Sequence, residues 1–276
     1  MTLFVSDLDG TLLNDKSRLS DASRQMLNEA IARGAKFSVA TARTPSTVSF
    51  LLQDVHANLP YIVMTGAALW NADTGSFFNC KTIDSLEADK ILSIVSEAKL
   101  PAFIYTIRNN RIHVYHTGIL SDLEKRFISE REGSEFKYFD IPESGFSLIP
   151  SPLENVALFY VMQPFMHVEK VFHSISNNVK CYPVFYRDIF GEDIGLMEIF
   201  SHEVSKANAL KWLRCHIGAD RVVAFGDNVN DIPLLREADV AIAVENALPE
   251  VKEMADIVIG PNTSDAVARY ILENTI

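Results

Sequence analysis

At 276 residues, with 48% hydrophobic and 22% charged side chains, the chain is long enough for one large domain or two modest ones. It can close a core without disulfide staples. The formal net charge of -11 disfavours nucleic acid and anionic membrane surfaces as partners, and any anion site must bring its own local positive charge. Cys80, Cys181 and Cys215 are far apart and odd in number, which reads as buried or free thiols in a reducing cytosol. No leader pattern opens the sequence and no apolar run approaches a membrane span, so a cytoplasmic location is expected.

The first third alternates strand and helix. Strands are expected over 2–6, 36–40 and 61–64. Between the first two, Ser20 or Asp21 can cap a helix that carries Met26, Leu27, Ala30 and Ile31 and stops at Gly34. A second helix runs through Val48, Leu51 and Leu52. This β-α-β-α-β order implies a parallel sheet with right-handed crossovers.

The middle of the chain reads differently. A helix over 84–99 precedes two aromatic and β-branched runs, 101–108 and 111–117, joined by the hairpin signal Asn109-Asn110. Helices over 120–132 and 166–176 and strands over 156–163, 181–187 and 194–200 complete this stretch. Helices followed by hairpins suggest a separate α+β domain on an antiparallel sheet, with Met162, Met166 and nearby phenylalanines in its core.

The alternating pattern then resumes. Ser205 caps a helix through Leu210, Leu213 and Ile217 that ends at Gly218. Strands 221–225, 240–244 and 257–259 alternate with helices through Leu234 and Leu235 and through Val251. The expected architecture is a discontinuous α/β core, 1–82 with 198–276, interrupted by an α+β domain at 83–197.

Ligands of open parallel sheets bind beyond the carboxyl ends of the strands. Beyond the first strand stands Asp7-Leu8-Asp9-Gly10-Thr11; beyond the second, Thr41-Ala42-Arg43; beyond strand 221–225, Gly226-Asp227-Asn228-Val229-Asn230-Asp231. Each has an ordinary explanation: an Asx turn at Asp7 and Asp9, a helix cap at Asp231, a plain strand end at Thr41. Two carboxylates on one rim nevertheless repel unless a cation sits there. Lys206, in the first turn of its helix, opposes the helix dipole at a cost of about 0.3–1 kcal/mol. A local rule broken in this way suggests an anion site, although one such lysine alone is more often solvated. On this reading its removal relieves a dipole clash and leaves the fold intact. His113 and His116 fall three apart on one strand and so point to opposite faces, which argues against a shared metal.

Together the four segments resemble the haloacid dehalogenase superfamily. Asp7-Leu8-Asp9-Gly10-Thr11-Leu12 matches its DxDGT motif, Thr41 its second motif, Lys206 its third, and the segment from Gly226 to Asp231 its GDxxND motif, in the family's order. Ala42, Thr65 and Ala266 stand where the family commonly has Gly, Asn and Gly. The resemblance implies a Rossmann-like parallel core with an inserted type IIB cap, as in Cof-type hydrolases. It implies a Mg²⁺-dependent phosphatase of small phosphorylated metabolites, sugar phosphates above all, working through an aspartyl-phosphate. A sugar phosphomutase or phosphotransferase on the same chemistry is the alternative. Asp7 would be the nucleophile and Asp9 the general acid and base; Asp7, the Asp9 carbonyl and Asp227 would hold Mg²⁺, supported by Asn230 and Asp231. Thr41 and Lys206 would bind phosphate, and Arg43 would contact substrate.

Overall fold

The computed structural model describes residues 1–188 and 193–275. The chain divides into two compact units, Met1–Asn79 with Ser205–Ile276, and Cys80–Val204. No helix among the described residues is long and apolar enough to cross a membrane.

The first unit opens with β1 (Thr2–Ser6), α1 (Asp21–Ala32), β2 (Lys36–Val39), α2 (Pro45–Leu51), β3 (Tyr61–Val63), β4 (Ala68–Trp70) and β5 (Phe77–Phe78). The inserted unit holds α3 (Ser85–Glu97), β6 (Phe103–Arg108), β7 (Arg111–His116), α4 (Asp122–Ser129), β8 (Lys137–Phe139), β9 (Val156–Pro164), α5 (Phe165–Asn178), β10 (Cys181–Arg187) and β11 (Ile194–Ser201). The first unit closes with α6 (Lys206–Ile217), β12 (Arg221–Gly226), α7 (Ile232–Glu237), β13 (Val240–Val244), α8 (Pro249–Met254), β14 (Ile257–Ile259) and α9 (Ala266–Glu273).

The core sheet is parallel, in the order β14-β13-β12-β1-β2. Leu3, Phe4 and Val5 are all buried, as are Val222 through Phe225, because strands covered on both faces read as continuous apolar runs. From β1 the chain progresses to β2 on one side and, later, from β12 to β14 on the other. The order therefore reverses between β1 and β12, the switch point at which such sheets open a crevice. Asp7 and Asp227 come directly after the two strands that flank it.

The third expected strand is β3, but it pairs antiparallel with β4, which pairs with β5. Its link to the parallel sheet is the bridge Ala40↔Ile62 and the Thr41 N–H donated to the Ile62 carbonyl at 3.0 Å. Three consecutive left-handed residues, Met64, Thr65 and Gly66, turn the chain from β3 into β4. Asn suits such φ values better than a β-branched residue does, and the strained Thr65 persists because its surroundings hold it.

The inserted unit has a six-stranded sheet in the order β10-β11-β9-β6-β7-β8. All its pairs are antiparallel except β7 with β8, a strand the alternation pattern did not announce. Asn109 (φ 50) and Asn110 (φ 57) form the β6–β7 turn with the positive φ values that a two-residue hairpin requires. The faces of α3 and α5 carrying Ala88, Ile91, Val95, Val168, Val171 and Ile175 join Phe159, Val161, Met197 and Ile199 in one core. Met162 is buried, but Met166 is 63% exposed and does not belong to that core. Its helix α5 turns the 168/171/175 stripe inward instead. The expected boundary at 197/198 falls inside β11, whose pairing with β9 and β10 runs past Glu198, so the whole strand stays with the inserted unit.

His113 pairs with Asp140 at 2.7 Å. His116, fully buried, turns Nδ1 to the Gly118 and Gly145 carbonyls and Nε2 to Glu124. The two rings serve different partners.

Candidate active site

At the end of β1, the Asp7 N–H donates to the Phe225 carbonyl at 3.0 Å, which ties this strand end to β12. The next residues, Leu8–Leu12, make a tight turn in which Gly10 has φ +77. A methyl at Gly10 would overlap the Asp227 carboxylate. Only glycine satisfies both the backbone conformation and this approach.

Lys206 begins α6, with Ser205 capping the helix through its hydroxyl. Gly66 lets the Met64–Gly66 turn pack on that N-terminus: a Cβ there would meet the Ser205 carbonyl. The Lys206 ammonium is not solvated. It is 3% exposed and donates to Asp7 Oδ1 at 2.6 Å and Asp231 Oδ1 at 2.7 Å. Two buried ion pairs stand against the unfavourable dipole, which argues against the expectation that removing Lys206 leaves the fold undisturbed. Burial pushes the Lys206 ammonium down, but the Asp7 and Asp231 carboxylates outweigh it, and the net shift is upward.

Oxygens of Asp7, Asp227 and Asp231 all lie within 4.8 Å of one another. Burial pushes the Asp7 carboxyl up to about 7; Lys206 opposes this, and Asp231 and Asp227 add to it. Asp227 rises to about 6, again mainly from burial, with the Thr11 hydroxyl pulling it down. Three carboxylates gather at one ammonium, which pairs with only Asp7 and Asp231, so full ionisation leaves uncompensated negative charge that only protons or a cation can neutralise. The donors fit a hard cation, since all are carboxylate oxygens. Asp231 is the least available of them: Oδ1 is taken by Lys206, and Oδ2 accepts the Asp227 and Asn228 N–H groups at 3.2 Å each. Its geometry is that of a brace for the Asp227 loop. Asn230 is exposed, and no hydrogen bond among the described residues ties its side chain to the cluster.

Thr41 is 1% exposed, and its Oγ1 accepts the Arg43 N–H at 3.2 Å, which leaves the hydroxyl proton free to donate. Arg43 reaches neither Asp7 nor Lys206. Its Nε and Nη2 grip Asp9 Oδ2 and Oδ1 at 2.7 and 2.6 Å. The Asp9 side chain is 48% exposed and is not one of the carboxylates of the buried cluster. Ala42 is not among the residues with positive φ, and at the third departure the left-handed residue is Asp265 rather than Ala266, so neither position needs glycine.

Sequence reasoning missed three contributors. Thr11 donates its hydroxyl to Asp227 Oδ1 at 2.9 Å. Asn246, beyond β13, donates to the Gly10 carbonyl at 2.7 Å, and Asn262 to the Leu13 carbonyl at 2.8 Å. The carboxyl end of β13 lies on the same rim as those of β1, β2 and β12, and that position is the signal that points to Asn246.

The profile of the haloacid dehalogenase-like hydrolase family matches residues 4–271. Among similar proteins is the 5-amino-6-(5-phospho-D-ribitylamino)uracil phosphatase YcsE of Bacillus subtilis (strain 168), 24% identical over 98% of this chain and 94% of its own length. The pyridoxal phosphate phosphatase YbhA of Escherichia coli (strain K12) is 25% identical over 98% and 97%. The fold is shared with the solved structure of the HAD subclass IIB sugar phosphatase BT4131, at a TM-score of 0.72 and 20% identity, covering 99% of this chain and 98% of that one. A switch-point carboxylate cluster held by a buried lysine, an inserted α+β unit and a match over nearly the whole chain make this protein a member of the haloacid dehalogenase-like hydrolase family, with the architecture of its type IIB branch.

Proposed function

We propose that the protein is a Mg²⁺-dependent phosphatase that hydrolyses small phosphorylated metabolites, sugar phosphates above all, through an aspartyl-phosphate on Asp7. The observation that carries this reading is the buried Lys206 ammonium bridging Asp7 and Asp231, with Asp227 beside them. Phosphatases among the relatives support the reaction class.

Lys206 takes Asp7 Oδ1, and no hydrogen bond among the described residues reaches Oδ2. Oδ2 is left free to attack. It bonds to phosphorus as the ester oxygen departs, and Asp9 gives that oxygen a proton. Asp9 then takes a proton from water as the water oxygen attacks phosphorus and the bond to Oδ2 breaks, which restores Asp7. Lys206 has three N–H donors and spends two on Asp7 and Asp231; the third, with the Thr41 hydroxyl, is available to phosphoryl oxygens. Asp7, Asp227 and the Asp9 carbonyl would hold Mg²⁺, which when bound neutralises the carboxylates and the charge developing on the phosphoryl group.

The test is a panel of phosphorylated sugars, polyols and cofactors, assayed for free phosphate with Mg²⁺ and with excess chelator. Phosphate release that needs the metal is expected. Turnover in chelator would refute the metal's role, and an isomeric sugar phosphate in place of free phosphate would make the enzyme a phosphomutase.

A further inference from the structure

We propose that Asn246 is a positioning residue that locks the Asp9 loop and the Asp227 loop in mutual register, steadied by Asn262. The inference rests on the metal-dependent reading of the site and adds residues outside the motif segments.

The loop after β13 holds one main-chain carbonyl in each acidic loop. Asn246 Nδ2 donates to the Gly10 carbonyl at 2.7 Å, next to Asp9, and the Leu248 N–H donates to the Asp227 carbonyl at 2.9 Å. Asn246 is itself oriented, since its Oδ1 accepts the Asn262 N–H at 2.9 Å. Asn262 Nδ2 then caps the Leu13 carbonyl at 2.8 Å, so the Leu8–Leu12 turn is restrained at its middle and just past its end. The loop is anchored in turn by Lys252, whose ammonium donates to the Glu245 carbonyl at 3.0 Å.

Gly10 creates the need for this restraint. The close approach of Asp227 demands glycine there, and glycine is the residue whose backbone is least self-determined. The orientation of the Gly10 carbonyl, and with it the adjoining Asp9 peptide, therefore has to be set from outside. Thr11 offers one tie, but that tie consumes Asp227 Oδ1. Asn246 supplies another without using a carboxylate. A primary amide on a short stem provides the donor for Gly10 and the acceptor for Asn262 together; alanine provides neither.

The test titrates metal-free protein with Mn²⁺, followed by electron paramagnetic resonance, beside steady-state kinetics with Mg²⁺. Asn246→Ala is expected to weaken Mn²⁺ binding about 10-fold and to lower kcat by a similar factor, the usual size for residues that orient ligands without touching the ion. KM for the phosphate ester should change little. Asn262→Ala should move both in the same direction by less, which keeps the claim testable if the first variant folds poorly. Asn178→Ala, whose amide bonds only the Ser174 carbonyl of its own helix among the described residues, should change neither. Wild-type Mn²⁺ affinity and kcat in folded Asn246→Ala would overturn the positioning role alone. Failure of the wild-type protein to bind Mn²⁺ would overturn the metal site and this inference with it.

Discussion

Arg43 and Asp9 face each other as two forks, with Nε on Oδ2 at 2.7 Å and Nη2 on Oδ1 at 2.6 Å. A parallel pair of charge-assisted bonds fixes orientation as well as position. Arg43 thus holds the proposed acid, and Asp9 has to loosen this fork before it can carry a proton to a leaving oxygen.

Arg43→Lys keeps the charge and loses the fork. If orientation of Asp9 is its task, kcat should fall about 10-fold in both Arg43→Lys and Arg43→Ala, with KM little changed. Steady-state kinetics decide: a raised KM with unchanged kcat would return Arg43 to substrate binding.

Lys206→Ala should destabilise the chelated protein, because it leaves Asp7 and Asp231 buried without their cation. A loss of about 2–3 kcal/mol is expected at pH 8, less than at a fully buried pair because Asp7 can take up a proton. The loss should shrink at pH 6, where that proton is readily supplied. Urea midpoints at the two pH values measure it. Unchanged or raised stability would mean that the helix dipole governs this lysine after all.

Glu198, on strand β11 next to the edge strand β10 of the inserted sheet, carries a carboxyl that burial pushes from its ordinary 4.5 to about 7, with the Tyr186 hydroxyl opposing. A carboxyl whose folded value lies above its unfolded one is easiest to accommodate while protonated. Its penalty is absent below about 4.5 and fully present above about 7, so its share of stability falls as pH rises through that window. Glu198→Gln should remove this slope and be the more stable protein at pH 8. The difference between wild-type and variant denaturation midpoints across pH 5 to 8 isolates the group from Asp7 and Asp227. A constant difference would contradict the burial argument.

Much of the core was legible because its signals are local. The β1 and β12 runs are apolar on both faces, and the acidic segments come directly after them, so a shared rim could be anticipated from the alternating order, whereas the β1–β12 switch point depends on a pairing distant in sequence. Lys206 was legible as an anomaly, but its burial was not, since that depends on Asp7 and Asp231, far away in sequence. The Arg43–Asp9 pair was illegible for the same reason: the two residues lie 34 apart in sequence. In the inserted unit β8 is three residues long, too short for alternation to register, and Met166 failed because one residue at a helix start carries no periodicity of its own. Asn246 looks like an ordinary turn residue until the Gly10 carbonyl is seen in front of it.

The central claim is that Asp7 Oδ2 becomes bonded to phosphorus. It is tested most directly by acid-quenching the enzyme within the first turnover of a reactive phosphomonoester and mapping the phosphate by peptide mass. Borohydride reduction of a parallel sample marks the phosphorylated residue, because it converts the aspartyl phosphate to the alcohol homoserine with release of phosphate. The account predicts a stoichiometric phosphate and the reduction mark on the peptide carrying Asp7, both absent in Asp7→Asn. Phosphate on another residue, or complete turnover with no covalent species while Asp7→Asn stays active, would contradict it.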